Sequence, residues 1–345
     1  MLRWTDLSQI PQGYGPSVVT MGNFDGVHKG HQAVLATVVA RARRYVADGS
    51  AGAGGSAGSA GTAGSAGALG SAGALAVAVT FQPHPVAVLH PDRAPQIITA
   101  PELRLDLLAA TGLDAVLVME FTRELALWTP ERFVADVFVK ALGASVVVVG
   151  EDTRFGVRNS GNVETLRQLG ARYGFEVLTL KDIGEGGRWS SSRVRSLVTA
   201  GDVSGAAEIL GRPHQVSGEV VHGDHRGREL GYPTANLSQE SAGLIPADGV
   251  YAGRLIRPSR SERDPERAMP AAISIGTNPT FEGTQRRVEA YVLDRTDLDL
   301  YGENVVLEFV ERLRPTEKFD SIDALIRQMA DDVERARTVL TSVAR

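Results

Sequence analysis

Five apolar runs of strand length, at 17–21, 76–81, 115–119, 145–149 and 175–180, alternate with segments whose apolar residues recur at helical spacing. That alternation leaves few folds open. Behind the first run, Val34, Leu35, Val38, Val39 and Ala42 mark a helix, and 101–110, 130–142 and 162–173 mark three more. Thr129 and Pro130 supply a good N-cap and a first-turn proline. Repeated βα units predict a doubly wound parallel sheet with ligands at the carboxyl ends of its strands. Beyond Arg212 the texture changes: short strand-like runs at 216–222, 249–255, 271–275, 288–293 and 304–309 are separated by Gly, Pro, Asn and Asp. They predict a small antiparallel barrel. A closing helix over 321–340 carries Ile322, Leu325, Ile326, Met329, Val333, Ala336 and Leu340 on one apolar stripe, read as core packing.

A chain of 345 residues has room for two such domains. Lys and Arg number 36 against 41 Asp and Glu, a formal charge of -5, which gives no footing for a nucleic-acid partner and favours phosphate-bearing small molecules. With no cysteine there is neither disulfide nor thiol catalysis. The first residues carry no apolar leader and no run reaches the length of a membrane span, so the expected location is the cytoplasm, with no membrane partner. From 49 to 74 every residue except Thr62 and Leu69 is Gly, Ala or Ser. Such a stretch buries too little apolar surface to offset its ordering entropy and reads as a flexible insertion within the first domain.

Chemistry concentrates at the strand ends. The run Thr20 to His31 sets His28 and His31 three residues apart where a strand turns into a helix. Gly22, Gly26 and Gly30 permit a sharp turn and close approach of a ligand, and the new helix offers N–H groups to an anion. The imidazoles can donate to phosphoryl oxygens; two histidines without cysteine fall short of a zinc ligand set. Asp152 and Phe155 follow the 145–149 strand, reaching the same sheet edge as His28 unless they form only a polar turn. Ser190, Ser191, Ser192 and Arg195 open a helix that is either a second anion site or an ordinary capped, basic start. In the second half, Gly223 to Leu237 combines loop glycines with a threonine hydroxyl and an asparagine amide that can hold Mg²⁺ and a nucleotide oxygen. It does not match Gly-x4-Gly-Lys-[Ser/Thr], and by composition it is equally a long hairpin loop. Glu289, between apolar strand residues, either faces solvent or sits in a site as a proton acceptor.

The string Gly22-Asn23-Phe24-Asp25-Gly26-Val27-His28-Lys29-Gly30-His31 resembles the HxGH nucleotidyltransferases, and within them the adenylyltransferase domain of bifunctional bacterial riboflavin kinase/FAD synthetases. The resemblance implies that Gly22, Phe24, Asp25, His28 and His31 bind ATP, the histidines steadying charge on the attacked α-phosphate without a covalent intermediate. The segment at 190–195 is similar to that family's SSTxIR signature, with Ser192 for threonine, which gives Ser191, Ser192 and Arg195 to the ATP phosphates. Asp152 and Phe155 match its GEN/D-F-x-FG string and would meet flavin; Thr153 replaces a usual aromatic. Residues 80–85 resemble its TFxPHP turn, where His84 is a shaping residue or a contact. Gly231-Tyr232-Pro233-Thr234-Ala235-Asn236-Leu237 looks like the ATP and magnesium site of riboflavin kinases, and with 276–281 completes their pattern. Gly223, Gly231, Thr234 and Asn236 are then expected on ATP, Thr234 and Asn236 on the metal, and Glu289 as the base for the ribityl hydroxyl.

The expected fold is thus α/β plus β: a doubly wound parallel-sheet domain over 1–184, a linker over 185–211 completing the first site, and a Greek-key barrel with a C-terminal helix over 212–345. The implied ligands are ATP, Mg²⁺, riboflavin, FMN and FAD. Self-association stays open. One rival is a kinase whose adenylyltransferase was weakened by Thr153 or Ser192; another is a flavin-sensing regulator, which would bind without turnover.

Overall fold

The computed structural model describes residues 1–49, 73–181, 189–223, 230–280 and 283–343. The chain forms two compact units, one of Met1–Pro95 with Leu105–Arg188, the other of Gln96–Arg104 with Trp189–Arg345. Residues 50–72 of the Gly/Ala/Ser insertion lie outside the described residues.

The first unit is built on six parallel strands: β1 (Leu2–Trp4), β2 (Ser17–Met21), β3 (Leu75–Gln82), β4 (Ala115–Glu120), β5 (Ala144–Gly150) and β6 (Glu176–Leu180), in the order β1-β4-β3-β2-β5-β6. All five expected runs are strands, and β1 is an addition: three residues at a sheet edge, too short to leave a periodic trace. Both faces are covered, which explains the near-continuous apolar runs. Val19, Val77, Val79, Leu117, Val147 and Val149 join Phe133, Val137, Phe138 and Leu166 on one face. Val18, Ala76, Ala78, Val116, Val118, Val146 and Val148 meet Leu35, Val38 and Leu108 on the other. Each fully buried Val or Leu contributes about 1.5–3 kcal/mol. The expected 130–142 helix is α-helical only over Pro130–Phe133, capped by Thr129, and winds as a π-helix over Val134–Ala141. There the Leu142 N–H donates to the Val137 carbonyl, five residues back.

In the second unit β7 (His214–Val221), β8 (Thr234–Leu237), β9 (Gly249–Ile256), β10 (Ala268–Thr280), β11 (Gly283–Val292) and β12 (Asn304–Arg314) close an antiparallel barrel in the order β10-β11-β8-β7-β12-β9. Val216, Val220, Ala235, Leu237, Tyr251, Leu255, Ile273, Val288, Ala290 and Leu307 fill it. Thr234 and Asn236, expected in a loop, sit on a strand. Pro233 precedes β8, and only pairing with β7 and the distant β11 defines it. The helix Ile322–Val343 lays Ala336 and Leu340 against Val250, Ala252 and Leu313 on the outer wall. A smaller core gathers Ile98, Leu244 and the helices Ser191–Ala200 and Val203–Leu210.

Candidate active sites

In the first unit the chain leaves β2 to one side through β3 and β4, while β5, paired to the other edge of β2, continues to β6. This reversal puts the crevice of the sheet past Met21 and Gly150, the position where open α/β sheets bind ligands. The loop leaving β2 is strained: Phe24 and Val27 adopt φ of 49° and 41°, in the left-handed region that non-glycine residues avoid. Its scaffold is Phe24, a core residue whose ring lies beneath Gly22, where a Cβ would be 3.2 Å from it. Asp25 is buried as well.

His28 occupies the cap of the helix Lys29–Gly49: its carbonyl accepts from Gln32 N–H at 2.9 Å, and its Nδ1 faces the His31 N–H at 3.4 Å. With Nδ1 facing the backbone N–H, the neutral form of the ring carries its proton on Nε2. The two imidazoles stack with centroids 3.7 Å apart, and Phe24 meets His31 edge-on at 5.3 Å. His31 is half-buried as a residue, yet its Nδ1 is sealed without a hydrogen-bond partner. Burial first, and the adjacent His28 second, hold the His31 pKa well below 6.5, so this ring is neutral at pH 7. A neutral imidazole can meet an anion only as an N–H donor.

Asp152 is exposed after β5, its Oδ1 3.0 Å from where a Cβ on Gly150 would stand. Phe155 is buried, packed on Phe133 and against Gly161, so its ring belongs to the wall behind the loop. Ser191, Ser192 and Arg195 lie in the second unit. Ser190, and not its neighbours, caps that helix by accepting from Arg193 N–H, which leaves Ser191 and Ser192 in the first turn. Arg195 is one turn further on, its Nε donating to the Gln96 carbonyl at 2.7 Å.

The barrel gathers the other expected group on its outer wall. Val288, Ala290 and Val292 point inward, so Glu289 and Tyr291 point outward, as Thr234 and Asn236 do between inward Ala235 and Leu237. Register pairs Glu289 with Asn236 and Tyr291 with Thr234. Thr234 Oγ1 donates to Glu289 Oε2 at 3.4 Å, and Asn236 Nδ2 lies 3.2 Å from the Thr234 carbonyl and 3.4 Å from Oγ1. Gly223 closes over them: a Cβ there would come within 2.6 Å of the Asn236 amide. Residues 224–229 lie outside the described residues, and Gly231 takes a positive φ of 86° where the chain re-enters. Tyr232 packs edge-on against Tyr291 at 5.2 Å, and burial, then Asp294, push the Tyr291 phenol up, keeping it protonated.

Known proteins place both halves. The FAD synthetase family model matches residues 11–48 and 67–194, and the riboflavin kinase model matches 210–340. A bifunctional riboflavin kinase/FMN adenylyltransferase of Escherichia coli is 33% identical over 333 residues, 96% of this chain and 95% of that protein. The chain belongs to the bifunctional riboflavin kinase/FMN adenylyltransferase family. A Listeria monocytogenes member of that family is 32% identical over 337 residues, covering 97% of this chain and 93% of its own. A crystal structure titled as a macrolide-efflux protein of Streptococcus pneumoniae superposes with a TM-score of 0.79 at 31% identity, covering 97% and 98% of the two chains. Among the described residues of the present chain no helix is long and apolar enough to cross a membrane.

Two residues beside these sites escaped the sequence reading. Ser274 is exposed on β10 in register with Glu289, so Ser274, Glu289 and Asn236 form one row across three strands. The antiparallel pairing of β10 with β11 sets that row. Asn23, part of the 22–31 string but given no role there, meets His84, a pairing that sequence alone does not announce.

Proposed function

We propose that this chain makes both flavin coenzymes, its barrel phosphorylating riboflavin to FMN with ATP and its parallel-sheet unit transferring AMP from ATP to FMN, giving FAD and pyrophosphate. What carries the reading is the pairing of two family matches with two local clusters: stacked His28 and His31 at the reversal of the sheet, and Thr234, Asn236 and Glu289 linked by 3.4 Å contacts on one wall of the barrel.

On the barrel, the ribityl hydroxyl gives its proton to Glu289 as its oxygen attacks the γ-phosphorus, and the bond to the ADP oxygen breaks. A hydroxyl, an amide and a carboxylate are oxygen donors suited to a hard cation, and Thr234 and Asn236 would hold Mg²⁺. Magnesium neutralises phosphate charge when bound.

In the other unit an FMN phosphate oxygen attacks the α-phosphorus of ATP and pyrophosphate leaves. His28 Nε2–H and neutral His31 stabilise the oxygens on which charge accumulates. Ser191, Ser192 and Arg195 are assigned to ATP phosphates and Asp152 to the flavin substrate, assignments that Arg195→Ala and Asp152→Ala test on FAD formation.

Product analysis decides the reading. Wild type supplied with riboflavin, ATP and Mg²⁺ yields FMN and FAD; His28→Ala accumulates FMN; Glu289→Ala makes no FMN yet converts supplied FMN. A wild type that leaves supplied FMN unchanged removes the adenylyltransferase half, and binding of riboflavin without turnover removes the kinase half.

A further inference from the structure

The strained loop of the first unit is held by a side chain that follows β3. The Asn23 amide lies 3.2 Å from His84 Nε2. On its other side His84 caps the helix Pro85–Leu89, its Nδ1 accepting from Val86 N–H at 3.2 Å. The atoms that meet are Asn23 Nδ2 and His84 Nε2, with donor and acceptor set by the imidazole tautomer. Two more bonds tie the same stretches: Gly22 N–H donates to the Val79 carbonyl at 3.0 Å, and Thr80 Oγ1 donates to the Asn23 carbonyl at 3.2 Å. The end of β3 therefore straps the loop that leaves β2. Next along that loop is Phe24, at a φ of 49° with its ring edge on His31. A non-glycine residue held there is strained and persists only where its surroundings over-determine it.

We propose that His84 is a positioning residue of the nucleotidyl-transfer site, acting through Asn23 to fix the loop on which Phe24 orients His31. The side-chain contact fixes the rotation of Asn23, which the two backbone-directed bonds alone do not. The role rests on the adenylyltransferase reading but involves no contact between His84 and either substrate.

The experiment is a double-mutant cycle on the full chain, Asn23→Ala and His84→Ala, alone and together, with FMN adenylylation as readout and riboflavin phosphorylation as internal control. Each single change lowers kcat for FAD formation by about tenfold or more while KM for ATP moves much less, because what is lost is alignment with the transition state. The double variant loses little beyond His84→Ala. Two replacements separate strap from cap. His84→Gln reaches Asn23 and restores part of the rate; His84→Asn caps the short helix but is too short to reach, and does not. Long-range ¹H–¹⁵N spectra of the imidazoles supply a readout free of activity: the His31 ring signals move in His84→Ala and His84→Asn and return towards wild type in His84→Gln. Additive losses, equal rescue by Asn and Gln, a parallel fall in the kinase rate, or unmoved His31 signals each overturn the proposal. A wild type that makes no FAD refutes the adenylyltransferase reading instead, and the spectra still decide whether His84 sets His31.

Discussion

At the scale of single residues, the stacked histidines show why one local pattern carried so much. Residues 20–31 form strand end, turn and helix start in one stretch, so their chemistry is legible without knowing any distant partner. Their protonation is not, because it comes from packing. The folded chain keeps His31 neutral, its pKa lowered by burial and then by His28, whereas the unfolded chain protonates it below about 6.5. Below that pH the unfolded state therefore binds more protons than the folded one. The stabilisation is fully present above 6.5 and is lost as pH falls towards the lowered folded value, by up to about 1.4 kcal/mol per pH unit. Denaturant unfolding between pH 7.5 and 5 is expected to lose stability more steeply in wild type than in His31→Gln. Parallel curves would contradict the assignment. The Ser274, Glu289 and Asn236 row makes the same division. Glu289 announced itself as a charge among apolar residues, but Ser274 acquires meaning only through the hairpin register. Ser274→Ala is expected to raise KM for riboflavin several-fold with kcat and ATP affinity little changed, since its hydroxyl borders Glu289 on the side away from Asn236.

At the scale of elements, what could be read was what repeats. Buried parallel strands and amphipathic helices leave long apolar signatures, and every long element of the parallel sheet was foreseen. The four residues of β8 carry no such signature, since their strand character comes from β7 and β11. That pairing also makes Gly223 exacting. A methyl there meets the Asn236 amide at 2.6 Å, and the amide can yield only by leaving Thr234. Gly223→Ala should cut riboflavin phosphorylation by about tenfold or more with an unchanged melting temperature, because a movable side chain absorbs the clash. The C-terminal helix gives the opposite case, stability without chemistry. Asp332, buried, accepts from Arg314 Nε at 2.9 Å and from its terminal nitrogen at 2.7 Å, tying helix to β12. Asp332→Ala takes the carboxylate from a largely buried guanidinium that keeps its bond to the Pro315 carbonyl, and should cost up to about 3–5 kcal/mol in urea unfolding. A loss under 1 kcal/mol would mean that the apolar stripe alone seats the helix.

At the scale of the whole molecule, the second unit takes nine residues, Gln96–Arg104, from the middle of the sequence that builds the first. No local pattern announces this, since the expected helix over 101–110 runs across the boundary at Arg104. Ile98 is fully buried among Val194, Val198, Ala206, Ile209 and Leu210, and its carbonyl accepts from Leu244 N–H at 3.2 Å. Gln96 does likewise for Arg195. The second unit's fold therefore requires a side chain that precedes the rest of it by some ninety positions. Ile98→Ala in the full chain removes three carbons from a packed cluster and should destabilise that unit by about 2–5 kcal/mol. For a unit of this size, each kcal/mol lowers the midpoint by about 2–4 °C. Trp189 packs against the same cluster, so its fluorescence follows the event. The expected result is an earlier Trp189 transition accompanied by earlier heat loss of riboflavin phosphorylation. If Trp189 and the kinase keep their wild-type midpoints, Ile98 belongs energetically to the first unit, and the borrowed segment is only a neighbour.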